Sequence, residues 1–115
     1  MIRKADEMSS EIKEALRGGR GSVQLTTLLQ PGEYKGKARM VARITLEPGT
    51  SVGPHVHEDE EEIFYILNGS ADFDDNGEIK RLEQGDVCLT TGGQRHSIAN
   101  AGDTTLDLLA TILLY

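Results

Sequence analysis

Three histidines occur in the chain, and two of them, His55 and His57, stand two residues apart. On a strand that spacing points both imidazoles to the same face, where they can converge on one ion. Glu62 follows five residues later, an odd step that would put it on the opposite face of an unbroken strand. The intervening Glu58-Asp59-Glu60-Glu61 is a polar run suited to a turn or bulge. A break there returns Glu62 to the inner face, on the strand that pairs back. The third histidine, His96, opens a later strand and can supply a fourth ligand from across the fold. Three neutral imidazoles and one carboxylate form a borderline-hard donor set, better suited to Mn, Fe, Co, Ni, Cu or Zn than to Ca or Mg. Four protein ligands on an octahedral ion leave two positions open for a substrate. The competing explanation is surface histidines beside a solvated acidic run. It must account for every histidine in the chain at once.

The elements that position these residues read as strands. Val23, Leu25, Thr27 and Leu29 alternate with polar neighbours until Pro31-Gly32, and Met40, Ala42, Ile44 and Leu46 alternate until Pro48-Gly49. Further strands are predicted at 62–68, 70–74, 78–82, 86–90, 96–100 and 104–114, with Asp75-Asn76-Gly77 as a tight hairpin turn. Many short strands between Gly-rich turns indicate an all-β sandwich or barrel. One segment reads as helix: across Ser9–Leu16, Met8, Ile12 and Leu16 recur every four residues, Ser9 or Ser10 can cap the start, and Gly18-Gly19 ends it. The expected organisation is therefore an N-terminal extension with a short helix over 1–21 and one barrel domain over 22–115. In the strand EIFYILN, Glu62, Phe64 and Ile66 share one face and Ile63, Tyr65 and Leu67 the other, so both faces need cover. A homodimer can provide it, and the apolar C-terminal LDLLATILLY supports the same idea; the N-terminal segment is the alternative cover.

Composition removes some functions. The chain has 115 residues, 19 acidic against 12 basic, and a net charge of −7. That charge opposes phosphate backbones, and no Lys/Arg cluster offsets it, so nucleic acid is excluded as an expected partner. A single cysteine, Cys88, forms no internal disulfide and suits a reducing compartment. No run approaches the roughly 18 apolar residues of a membrane helix. The opening MIRKADEMSS lacks the apolar core of a signal peptide. The expected location is cytoplasmic.

At this point the spacing resembles a known family. GTSVGPHVHEDEEEIFYILNG, from Gly49 to Gly69, is similar to the first cupin motif, on which Gly49, His55, His57, Glu62 and Gly69 fall. Counting back from Gly69 selects Glu62 over Glu60 and Glu61 as the carboxylate. GDVCLTTGGQRHSIAN resembles the second motif through Gly85, Gly93, His96 and Asn100, with Thr91 where the motif has Pro. Fifteen residues separate the two stretches, as in small single-domain cupins. The resemblance implies a double-stranded β-helix, or jelly-roll barrel, with a pocket at one mouth, commonly dimeric, and His55, His57, Glu62 and His96 as ligands to one divalent transition metal. It also implies a small-molecule metalloenzyme with dioxygenase-like, isomerase, decarboxylase or lyase chemistry. The alternative is a non-catalytic module that binds or senses a small ligand.

Other residues carry weaker expectations. Phe64, Ile66, Met40 and Ile44 are candidates for an apolar pocket wall. Gln94 and Arg95, just before His96, can contact an anionic substrate or serve as ordinary loop residues. Glu60 and Glu61 can act as general bases or form a solvated turn. Arg43, Thr45 and Glu47 form an alternating polar set: facing inward they favour a sugar or carboxylate substrate, and facing outward a small apolar-aromatic one.

Overall fold

In the computed structural model, which describes residues 1–115, ten strands form two antiparallel sheets. They are β1 (Ser9–Glu14), β2 (Ser22–Leu29), β3 (Ala38–Leu46), β4 (Ser51–Val56), β5 (Glu60–Asn68), β6 (Ala71–Asp75), β7 (Glu78–Leu82), β8 (Val87–Thr90), β9 (Arg95–Asn100) and β10 (Leu106–Leu114). One sheet has six strands in the order β1-β2-β3-β10-β5-β8; the other has four, β4-β9-β6-β7. The all-β sandwich expected from the alternation is present, in the jelly-roll form that the motif resemblance implies. No helix is long and apolar enough to cross a membrane.

The core lies where the apolar faces of the two sheets meet. On β10, Leu106, Leu108, Ala110 and Ile112 point inward between β3 and β5, which pair with it on either side. Ile44 and Leu46 on β3, Phe64 and Ile66 on β5, Phe73 on β6 and Ile98 on β9 belong to the same core. Arg43 lies on the exposed face of β3, Glu47 is exposed just past its end and Thr45 is half-buried, because Ala42, Ile44 and Leu46 occupy the inner positions. Thr45 donates to Asp107 at 2.7 Å on the outer face of the neighbouring β10. The interior is therefore apolar along β3.

At the N-terminus the predicted helix over Ser9–Leu16 is corrected. Helical geometry is confined to short 3-10 turns at Ala5–Glu7 and Leu16–Gly18, and the intervening span is the edge strand β1. It pairs antiparallel with β2 from Ser9↔Thr27 to Glu14↔Ser22, and the Ser10 and Thr26 hydroxyls are 2.8 Å apart. The physical reason is non-local. β2 would otherwise leave a row of backbone donors and acceptors unpaired, and three apolar residues at helical spacing are a weak competing signal. Ile12, which the helical pattern would bury, is 64% exposed.

Within the motifs, Asn100 works as a backbone brace. Its amide donates to the Leu46 and Thr104 carbonyls at 2.8 Å each and accepts from the Gly102 N–H at 2.9 Å. Cys88 packs partly buried against the core, where burial pushes its thiol up to about 12. It is a packing residue, not a nucleophile.

Candidate metal centre

Both sheets contribute to the cluster. His55 on β4 lies opposite His96 on β9 in the four-stranded sheet, while Glu62 comes from β5 in the other sheet. His57 sits one residue past the end of β4. The chain breaks at 57–59, with Asp59 in the left-handed region at φ 58°, and β5 starts at Glu60. This break restores Glu62 to the inner face, as the odd spacing requires. It is shorter than the four-residue run 58–61 because Glu60 and Glu61 are already part of the strand.

The four side chains meet with donor atoms all within 4.8 Å of one another. His55 Nε2 is 3.1 Å from His57 Nε2 and 3.1 Å from His96 Nε2. Glu62 Oε1 is 2.9 Å from His57 Nε2 and 3.2 Å from His96 Nε2. His57, Glu62 and His96 are buried and His55 is half-buried.

Each ring is turned by a partner on its other nitrogen. His55 Nδ1 is 2.8 Å from the Gly53 carbonyl, His57 Nδ1 is 2.5 Å from the Glu60 carboxylate, and His96 Nδ1 is 2.9 Å from the Thr90 hydroxyl. With the proton on Nδ1, as these acceptors favour, the three Nε2 lone pairs share one small space with the Glu62 carboxylate. Four such atoms in contact repel unless they share a cation. Two donors at a right angle around an ion, bonded at about 2.1 Å, lie about 3.0 Å apart, against about 3.4 Å for a tetrahedral pair. The separations of 2.9 to 3.2 Å match the right-angled arrangement. The residues fit a transition-metal ion with positions to spare, and could hold one.

Charge and packing reinforce the orientation. Arg39 on β3 donates twice to Glu60, at 2.8 and 2.7 Å, and holds that carboxyl down at about 2. When His57 and His96 instead carry protons on Nε2, both donate to Glu62; burial works against its ionisation, yet these hydrogen bonds outweigh burial and keep the carboxyl below its ordinary value. The Glu62 hydrogen bond, with help from Glu60, raises His57, whereas burial lowers His55. Phe64 stacks on the His96 ring at 5.2 Å with 8° between planes, and Phe73 meets it edge-on at 5.8 Å.

A cavity of about 160 Å³ opens beside the cluster. His55, His57 and Glu62 line it together with Met40, Ile44 and Phe64, and Leu16, Arg17 and Arg39 also border it. Of the four expected wall residues, Ile66 is absent from the lining; it is fully buried deeper in the core. Gln94 folds back on its own loop, accepting from the Thr91 N–H and hydroxyl at 3.3 and 3.0 Å, and Arg95 is exposed; neither borders the cavity. Glu60 is not a freely solvated turn residue, since Arg39 and His57 hold it.

Sequence reasoning missed Arg17, Arg39 and Thr90. Thr90 lies opposite Glu62 in the β5–β8 register, a signal available only once that pairing is known. Arg39 and Glu60 are 21 residues apart, with no local pattern linking them. Arg17 lies in the segment read as an extension.

Comparison with known proteins adds a family match, two relatives and two solved structures. A family model described as the cupin domain matches residues 42–112. The oxalate-binding protein of Thermotoga maritima is 46% identical over 114 residues, covering 99% of this chain and 94% of that protein. The tetracenomycin polyketide synthase protein TcmJ of Streptomyces glaucescens is 34% identical over 96 residues, 84% of this chain and 62% of that protein. Among solved structures, a predicted oxalate decarboxylase from Thermotoga maritima superposes with a TM-score of 0.96 at 45% identity, covering all of both chains. A cupin 2 conserved barrel domain protein from Salinispora arenicola superposes at 0.74 with 25% identity, covering 98% of this chain and 87% of that one.

Proposed function

The chain belongs to the cupin family, and from that premise we propose that it is a metal-dependent protein for a small chelating carboxylate, with oxalate the first candidate. One observation carries this reading. Three imidazoles and a carboxylate, each ring turned by an acceptor on Nδ1, present right-angled donors beside a small cavity. His55, His57, Glu62 and His96 would hold one divalent transition metal, which supplies Lewis acidity and two open positions for a ligand. The names of the Thermotoga maritima relatives support oxalate as the ligand class. Arg43 and Glu47 point outward, which removes the support that this set would have lent to a sugar or a carboxylate, so the carboxylate reading rests on the cluster, the arginines bordering the cavity and these relatives.

The chain's own residues divide the work. Glu60, clamped by Arg39, and Thr90 hold the rings of His57 and His96 against rotation. Phe64 and Phe73 pack around His96 and exclude water from behind it. A metalloenzyme, decarboxylase or otherwise, is one form of this function. Capture without turnover is the second, favoured by a specific observation: apart from His55, His57 and Glu62, the cavity lining holds no carboxyl, thiol, phenol or amine to move a proton. The exposed Tyr65, Leu67, Val87 and Leu89 on β5 and β8 support a homodimer, which light scattering would detect.

The test is metal analysis joined to calorimetry and product assays. The reading expects about one transition metal per chain, its loss in His57→Ala, and oxalate binding only by the loaded protein. Wild type that stays metal-free after reconstitution refutes it. Formate release from oxalate, or oxygen uptake in its presence, selects the enzyme, and binding without product selects the module.

A further inference from the structure

Two arginines border the cavity, and their circumstances differ. Arg39 is committed to Glu60 by two hydrogen bonds, so the pair brings no net charge. Arg17 is exposed, its guanidinium makes no hydrogen bond or ion pair within the chain, and it borders the same cavity as His55. Its backbone, in contrast, is held tightly. Arg17 lies in the left-handed region at φ 54°, ψ 29°, where a residue with a side chain is strained. The turn carrying it presses against β4 at Gly53, where an added Cβ would lie 2.1 Å from the Arg17 carbonyl oxygen. Reciprocally, a Cβ on Gly19 would lie 2.1 Å from the Ser51 carbonyl oxygen. Leu16, the preceding residue, packs against the core and also borders the cavity. An unpartnered cation on a strained turn, docked two residues before His55, is a placement that solvation of a loose extension does not require.

Charge then discriminates among ligands. With a divalent ion in the cluster, Glu62 offsets one of its two charges, Arg39 and Glu60 cancel, and Arg17 adds one. The cavity is left with two net positive charges and apolar walls, the complement of a small dianion. A planar guanidinium also matches a carboxylate's two oxygens, which an ammonium or amide does not.

We propose that Arg17, on the Leu16–Gly18 turn, anchors the outer oxygens of the ligand's two carboxylates, which point away from the cluster, and so selects a small dicarboxylate dianion over monoanionic chelators. This rests on the reading of the cluster as a metal centre for a chelating carboxylate. Arg17 is a specificity residue: it touches the ligand and leaves the four cluster residues unaltered.

The experiment compares oxalate with glycolate, a chelator of single charge, by titration calorimetry on metal-loaded protein. Arg17→Gln is expected to weaken oxalate by about 10- to 100-fold, the effect of one charge-assisted contact, and glycolate by less than about threefold. Arg17→Lys recovers part of the oxalate affinity, because charge returns without the planar fork. Arg17→Gly, which suits the left-handed backbone, loses oxalate as Arg17→Gln does and separates ligand contact from turn strain. Metal content per chain stays at the wild-type value in all three. Arg43→Gln, on the outer face of β3, leaves both ligands unaffected. Equal losses for oxalate and glycolate, no loss for either, or loss of the metal overturn the role of Arg17 alone. Wild type that takes up metal but binds no oxalate overturns both this role and the ligand class; wild type that takes up no metal refutes the centre itself, and the role of Arg17 with it.

Discussion

Glu60 stands in the acidic run but outside the four-residue cluster, and removing it separates orientation from ligation. Its carboxylate is 2.5 Å from His57 Nδ1 and receives two Arg39 hydrogen bonds, at 2.8 and 2.7 Å. Glu60→Ala removes the acceptor that fixes the tautomer and ring plane of His57 while leaving all four donors in the chain. Loss of such a partner costs metal affinity about 10- to 100-fold, or about 1.4 to 2.7 kcal/mol. The effect on folding should be much smaller. Arg39 is 44% exposed in that ion pair, so solvent screening leaves it about 0–1 kcal/mol. The variant also frees the Arg39 guanidinium at the cavity, so oxalate affinity per bound metal should rise even as metal affinity falls. A chelator competition assay measures the first quantity, calorimetry on the fully loaded variant the second, and urea unfolding the stability. Glu61→Ala, one residue along and without a hydrogen bond to the histidines, is the control. Metal affinity of Glu60→Ala within twofold of wild type would refute the orienting role. A collapse equal to that of His57→Ala would show instead that Glu60 is itself a ligand.

Two further outcomes test the fold. Leu108 on β10 is fully buried between β3 and β5, and Leu108→Ala should lower unfolding free energy by about 2–5 kcal/mol, read from urea midpoints. Arg3 donates to the Leu28 carbonyl at 3.0 Å and to both Glu33 oxygens at 2.9 and 2.6 Å, and these bonds hold the Glu33 carboxyl down at about 2. A lowered carboxyl stabilises the fold above its unfolded value, near 4.5, and loses that contribution as pH falls towards about 2. Limited proteolysis of the N-terminal segment should therefore quicken across that window in wild type; in Arg3→Ala it should already be fast at neutral pH.

The strand pattern was readable because alternation is local. Val23 to Leu29 and Met40 to Leu46 declare a period of two without reference to any partner, the later runs are short and bounded by turn residues, and all become strands. Asn76-Gly77 closes the β6–β7 hairpin as its composition requires, with both residues at positive φ and Asp75 opposite Glu78. The same locality brings His55 and His57 to one face. Where local pattern was thin, pairing overruled it: Met8, Ile12 and Leu16 suggested a helix, and the free edge of β2 made a strand.

By itself, the sequence determined the donor types, their number and the family motif, since spacing along one or two strands is a property of the chain. Which face of β3 looks inward depended on the whole sandwich, because Arg43 and Ala42 exchange faces with a shift of one residue. The partners that turn each ring, Gly53, Glu60 and Thr90, and the pairing that neutralises Arg39 arise from contacts between strands. Only the tertiary structure could also carry Arg17 to the cavity, because its turn docks on β4 through backbone contact at Gly53. Charge at a site is the sum of what folding brings near and what it pairs off, and neither quantity is local in sequence.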